Sequence, residues 1–503
     1  MKILLIEPRK APGTIGGDDM FVYEPLALEY VAAGVAEGHD VRILDLRLED
    51  DLESALEGFR PHVVGITAYT VHVNSVRRLC DAIKRWNPAA LTVVGGHHAT
   101  VVPEDFATPS IDLIVLGEGV FTFREIVRRF EKGQDFDGIA GLAFVRGDRL
   151  VRTEYPVVVD LDALPSPRRE LTAKYRECYY SEWMRPLASI RTSKGCPHRC
   201  TFCALWKLTG GRYLRRKPES LVEELAELDE EFVFFADDES LVDARRMSRL
   251  ASLIADAGIR KRYFLYGRSD TIAGHPDLLA QWREVGLERV FVGLEFWRDE
   301  DLDYVGKGST VSDNARAVEI LQSLDIEMYA SLIVRPDFGR ADFDALREYC
   351  RDLGLSLATF PVLTPLPGTD FYERVRDEMI THNYDYYDFI HTLLPTRLPL
   401  KAFYEEYHRL YASAIPWVRG VALLSKYRLG DIPPFMRAYY RFLRQLRSAY
   451  LDYEGQGEGG RDIGAPRSMP SSGLRPQPAD GQEVCGRLIR AEPSTDGSGE
   501  GGP

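Results

Sequence analysis

The chain is poor in cysteine, in net positive charge and in long apolar runs, and each shortage removes a class of protein. Seven cysteines in 503 residues are too few for a disulfide scaffold. Three of them fall between residues 196 and 203 and the other four are scattered, a local use of thiols that points to a reducing compartment. With 63 Lys and Arg against 77 Asp and Glu, the formal net charge is -14. No whole-chain electrostatic case for nucleic acid follows, and no nucleic-acid partner is expected. The start, MKILLIEPRK, holds one lysine and a short apolar run before Glu7 and Pro8. Neither a secretory signal nor a membrane span fits it, and the expected location is the cytoplasm.

What is present is periodic. From residue 1 to about 150, the apolar runs Lys2–Ile6, Val41–Leu46, Val63–Thr67, Leu91–Val94 and Ile111–Leu116 alternate with amphipathic stretches such as Ser75–Trp86 and Thr122–Lys132. Near-continuous apolar strands suit a sheet buried on both faces, so this part reads as a Rossmann-like, flavodoxin-like parallel sheet with ligands at the carboxyl ends of its strands. Residues 151–186 are punctuated by proline and read as a linker. Six further strand candidates, Leu187–Thr192, Phe232–Ala236, Tyr263–Gly267, Arg289–Leu294, Met328–Val334 and Ser356–Val362, have helical segments between them. Residues 187–370 thus read as a partial (β/α)6 barrel, with chemistry on the loops after its strands. A helical, tyrosine-rich segment follows over 371–451. Residues 452–503, with their many glycines and prolines, have the composition of a disordered tail.

The segment SIRTSKGCPHRCTFCALW places Cys196, Cys200 and Cys203 in one loop directly after the first barrel strand. Three thiols so close together imply a metal site. A zinc knot would need a fourth ligand, for which His198 or Cys350 is available; an iron–sulfur cluster held by three thiolates would leave one iron open to a small molecule. The spacing C-x3-C-x-aromatic-C, with Phe202 as the aromatic, resembles that of the radical S-adenosylmethionine (AdoMet) enzymes. FFADDESLVD, with Asp237 and Asp238, RVFVGLEFWRDEDLDYVGKG, with Glu295 and Lys307, and LTPLPGTDFYE are similar to later strand exits of that family. The resemblance implies a [4Fe-4S] cluster on the three cysteines, with AdoMet chelating the open iron. It also implies Arg268 and Glu295 near the AdoMet carboxylate and ribose, Asp237 and Asp238 in the cofactor site, and the Phe202 backbone against adenine. Arg335 stands where the family typically has glycine. On the residues alone, Arg268 and Glu295 could equally form a buried ion pair, and Asp237 could cap the next helix.

The first part resembles the cobalamin-binding domain of one branch of the family, through VVGITAYT with Thr67, VVGGHHATVVPED with Gly95, Gly96 and His97, and VLGEG with Gly117, Glu118 and Gly119. Small residues at strand ends let a large ring approach the backbone. The D-x-H-x-x-G motif that gives cobalt a histidine in other cobalamin proteins is absent, so a cobalt without such a ligand is expected. The two halves together imply C-methylation of an unactivated carbon with methylcobalamin, two AdoMet consumed per product, and an electron donor such as a flavodoxin or ferredoxin. NYDYYDFIHTLLPTRLPL resembles the corresponding region of hopanoid C-3 methylases, which implies an apolar, hopanoid-like substrate modified at C-3 of its A-ring. A stripe at Phe403, Tyr407, Leu410 and Tyr411 suits core packing or a substrate wall. Further on, Met436, Tyr440, Leu443 and Tyr450 alternate with Arg437, Arg441, Arg444 and Arg447, a pattern that suits peripheral membrane contact or a solvated face. The rival readings are a cobalamin radical enzyme that cyclises, rearranges or methylates another natural product, and a zinc-stapled module that binds a corrinoid or nucleotide.

Overall fold

The computed structural model describes residues 1–453 apart from 19, 156–159 and 415–424. The expected tail lies almost wholly outside the described residues.

The apolar runs of the first third form parallel strands β1 (Lys2–Glu7), β2 (Asp40–Asp45), β3 (Val63–Thr67), β4 (Leu91–Gly95) and β5 (Leu113–Val115), in the order β2-β1-β3-β4-β5. Each face of this sheet has its own apolar cluster, around Val64, Ile66 and Val94 on one side and Ile3, Val63 and Val93 on the other. Burial on both sides, at about 1.5–3 kcal/mol per large aliphatic side chain, is what the continuous runs encode. An antiparallel hairpin, β6 (Leu142–Arg146) and β7 (Arg149–Arg152), extends the sheet beyond β5; the sequence reading contains no such addition. The order reverses between β1 and β3, which opens a crevice at their carboxyl ends.

The second sheet holds β8 (Leu187–Ile190), β9 (Phe232–Phe235), β10 (Arg262–Arg268), β11 (Leu287–Glu295), β12 (Glu327–Leu332) and β13 (Leu357–Thr359), all parallel and in chain order. Helices Pro218–Glu227, Ala244–Asp256, Pro276–Glu284, Val311–Ser323 and Arg340–Asp352 cover its outer face. Pro218 and Pro276 occupy first helical positions, where a missing N–H costs nothing. The inner face is aromatic. Phe234, Tyr266, Phe291 and Tyr329, from four successive strands, follow one another with ring centroids 5.0–5.3 Å apart. Tyr23 of the first part stacks on Phe234 at 4.7 Å. At the amino ends of the strands Arg289, fully buried, is held by Glu182 and Glu327 at 2.6 Å each and lies against Trp183.

The two sheets are tied through the intervening segment. Tyr180–Ser181 pairs with Phe21–Val22. Arg169 meets Glu24 and, at 2.7 Å, Glu224, and Arg176 meets Glu24 and, at 2.9 Å, Glu230. In the helix Leu400–Ala414, Phe403, Tyr407, Leu410 and Tyr411 are all buried in the barrel's main core. That stripe is core. The helix Ile432–Ser448 buries Ala438 and Leu446 and leaves Tyr440 63% exposed, while Leu443 and, just past the helix, Tyr450 pack against the barrel core. No described helix is long and apolar enough to cross a membrane.

Candidate active site at the facing strand ends

A cavity of about 570 Å³ lies where the carboxyl ends of the two sheets face each other. From the first sheet it is lined by Glu7, Thr67, Tyr69, Gly95, Gly96, His97, Gly117, Glu118 and Gly119; from the second by Ser189, Ser193, Lys194, Asp237, Asp238 and Tyr266. Residues from the first-sheet glycine motifs and from the second- and third-strand exits therefore share one space.

The cysteine-loop segment meets it through Ser193, Lys194, Leu205 and Leu208, while Cys196, Cys200, Cys203, Phe202, Arg268 and Glu295 are not among its lining residues. Cys200 is buried, and Cys196 and Cys203 are half-buried. The loop is pinned from outside: Thr201 N–H donates to Val305 O and Phe371 N–H to Thr201 O, both at 2.8 Å. Asp237 accepts from the Thr192 and Ser193 N–H groups at 2.7 Å and from the Thr192 hydroxyl at 2.5 Å. Asp238 accepts from Gly195 N–H at 2.6 Å. The helix after β9 is capped by Asp243 instead. Gly195 has φ +88°, and a β-carbon there would stand 2.1 Å from Arg212 O, so only glycine lets the chain enter the loop at this angle. Phe202 packs its ring with Phe296, Leu302 and Phe371.

Burial pushes the Cys196 thiol up to about 11 and the Cys203 thiol up to about 12; bonding to iron would offset the cost of ionising them. Among the described residues no group of three or more His, Cys, Asp and Glu side chains gathers on a single-ion site, and Cys350 belongs to the barrel core. A zinc knot needs such convergence, whereas a cubane takes each thiolate on a different iron. The thiol trio fits the cluster.

Arg268 and Glu295 do not pair with each other. Arg268 lies 3.8 Å from the Cys200 sulfur, forms a two-point contact with Asp270 at 2.9 Å, and donates to Lys307 O at 2.6 Å. Glu295, with φ +60° at a break in the β11 register, meets Lys307 Nζ at 2.7 Å. Arg335 is held by Asp301 and Asp337, at 2.6 Å each. The Ser189 hydroxyl on the cavity wall is buried and has no hydrogen-bond partner among the described residues.

On the first sheet's side, Gly96 has φ +104°, and a β-carbon there would meet Ala68 N at 2.7 Å. Tyr69 exposes half its surface although protein surrounds it, so it faces the cavity, with its ring 4.8 Å edge-to-face from His97. Burial lowers the His97 imidazole to about 4, with Lys194 and Arg191 adding to the effect. His98 points elsewhere and is engaged by Asp105 at 2.9 Å and Thr70 at 3.2 Å. Glu118 crosses to the barrel, 2.9 Å from Lys194 and 3.6 Å from Arg191. Burial alone would raise its carboxyl, but these cations hold it below the usual range. An open, glycine-bounded wall fits a corrin.

Three site residues escaped the sequence reading. Glu7 ends β1 at the crevice and burial raises it to about 7, against the pull of Arg47. Glu239, which accepts from the Arg268 and Leu241 N–H groups, is likewise raised to about 7 by burial. Tyr69 is the third. Position at a strand end is the only signal any of them carries in the sequence.

A B12 binding domain matches residues 15–127 and the radical SAM superfamily matches residues 190–350. A hopanoid C-3 methylase of Methylococcus capsulatus is 31% identical over 435 residues, 83% of each chain. The chain belongs to the cobalamin-dependent radical AdoMet methyltransferases. This methyltransferase accordingly uses a [4Fe-4S] cluster, AdoMet and cobalamin. It is also similar, at 26% identity over 87% of its length and 75% of the other chain, to an anaerobic magnesium-protoporphyrin IX monomethyl ester cyclase of Cereibacter sphaeroides. In fold it resembles the radical AdoMet methyltransferase TsrM from Kitasatospora setae, solved with cobalamin and a [4Fe-4S] cluster. That similarity has a TM-score of 0.61 at 20% identity and covers 89% of this chain and 99% of that one.

Proposed function

We propose that this enzyme methylates an unactivated carbon of an apolar polycycle, C-3 of a hopanoid A-ring in the first instance. One observation carries the reading: the cysteine-loop end of the barrel and the glycine-lined end of the first sheet open into a single cavity, beside an aromatic inner wall. The 31% identity to a hopanoid C-3 methylase supports this choice of substrate.

Bound there, the three cofactors supply a hydrogen-abstracting radical and a transferable methyl group. Cys196, Cys200 and Cys203 would hold the cluster. Arg268, Glu295 and the Phe202 backbone would orient AdoMet, while Asp237 and Asp238 fix the loop that carries the thiols. Thr67, Gly95, Gly96, His97, Gly117, Glu118 and Gly119 would bound the corrin. The aromatic rings of the barrel offer apolar surface that keeps water from a reactive carbon. We place the reaction in the cytoplasm, with a flavodoxin or ferredoxin as electron source.

Anaerobic reconstitution with AdoMet, methylcobalamin, reductant and a hopanoid tests this. Deoxyadenosine and S-adenosylhomocysteine should form in step with a product one methyl group heavier. Deoxyadenosine with a modified product that carries no added methyl group would remove methyl transfer and favour the cyclisation that the similarity to a cyclase suggests. Methylation of other substrates with hopanoids untouched would remove the hopanoid alone.

A further inference from the structure

We infer that the outer surface of the cysteine loop is the docking site of an acidic one-electron carrier protein. The inference rests on the cluster and on the electron source placed in the reading above, and on nothing about the substrate. The loop has two sides. Ser193, Lys194, Leu205 and Leu208 line the cavity, whereas Arg199, Trp206, Arg212 and Arg374 do not. All three of these arginines are exposed, and none meets a carboxylate among the described residues. They stand together in a chain whose net charge is -14.

Contacts draw the four side chains into one patch. Arg199 lies over the Trp206 ring at 5.6 Å, and Lys207 over the same ring at 5.1 Å. The Arg199 guanidinium would stand 3.9 Å from a β-carbon on Gly211, so it reaches the turn that carries Arg212. From the helix Asp370–Val375, Arg374 donates to the Thr201 hydroxyl at 3.0 Å. The carboxylates beside it are committed: Asp370 to Lys207 at 2.6 Å and Glu373 to Arg376 at 3.2 Å. The patch ends at the helix Asp299–Tyr304, whose Asp299, Glu300 and Asp303 are exposed and whose Tyr304 ring lies 5.1 Å from Arg374. A surface that is cationic over the loop and anionic beyond it accepts an acidic partner in one position and repels it from the next.

The patch also lies over the redox centre. Pro197 and Arg199, neighbours in sequence of Cys196 and Cys200, are exposed, and the Trp206 indole N–H donates to Cys200 O at 3.3 Å. Electron transfer needs a short path and no shared cavity. The step is a single electron: the carrier loses it, the cluster gains it, and no bond forms or breaks.

Reconstituted holoenzyme without substrate tests this, with a bacterial flavodoxin as the probe. Binding should be measurable at about 0.05 M salt and should weaken as ionic strength rises toward about 0.5 M. The double variant R212E/R374E should weaken flavodoxin binding, and slow the initial bleaching of the cluster by reduced flavodoxin, roughly 10-fold. Dithionite needs no docking surface, so it should bleach parent and variant at the same rate, and iron content should be equal in the two. An unaffected variant, binding indifferent to salt, equal slowing with dithionite, or preference for RNA over flavodoxin would each overturn the inference. No methyl acceptor is present, so its failure and that of the methylation reading are separable.

Discussion

Asp237 shows how single atoms govern the cysteine loop. Its carboxylate accepts three hydrogen bonds from Thr192 and Ser193, all inside the protein. Asp237→Ala would leave two buried N–H groups unsatisfied, and a cost of about 2–4 kcal/mol follows. Urea unfolding should show that loss, and anaerobic reconstitution should incorporate less iron than the parent, because the loop that presents Cys196 starts from this anchor. The loop's chemistry was legible in the sequence because thiol spacing is a local property. The partners of Arg268 and Glu295 were not: Asp270 and Lys307 become their counter-charges only once the strand exits bend, and Glu295 does so with a left-handed backbone.

Among the elements, the segment around residues 384–398 is fastened by His391. Its ring lies 2.8 Å from Asp388 and 3.1 Å from Asp452 and stacks on Tyr386 at 4.5 Å. Burial pulls the imidazole down, but the two carboxylates lift it to about 9. A folded-state value above the unfolded one means that the stabilisation is complete below about pH 6.5 and is lost as pH rises through about 9. Urea midpoints of the parent should fall over that window, and Asp452→Asn should shrink the fall. The parallel strands of both sheets were readable from β-branched and aromatic runs, since strands buried on both faces are predominantly apolar. The hairpin β6–β7 was missed for the complementary reason. Val145 is 43% exposed and both strands end in arginines, so the apolar signal fades, and only the turn at Gly147 and Asp148 marks the reversal.

For the whole molecule, the relation between the two sheets is set by charges that in the sequence look like an ordinary solvated stretch, SPRRELTAKYREC. Arg169 and Arg176 instead reach across to Glu24, which is 5% exposed, and to Glu224 and Glu230 on the barrel side. Removing both arginines strands a buried carboxylate. R169Q/R176Q should lose about 3–5 kcal/mol, and calorimetry should show one transition for the parent and two for the variant as the sheets uncouple. The shared cavity was beyond the sequence for the same reason: each half announces its own ligand, but only docking of the halves shows that both openings meet.

The buried Arg289 with its two glutamates divides the inner face of the barrel by character: charge sits at the amino ends of the strands, and the cavity bounded by the wall on which the corrin would rest lies at their carboxyl ends.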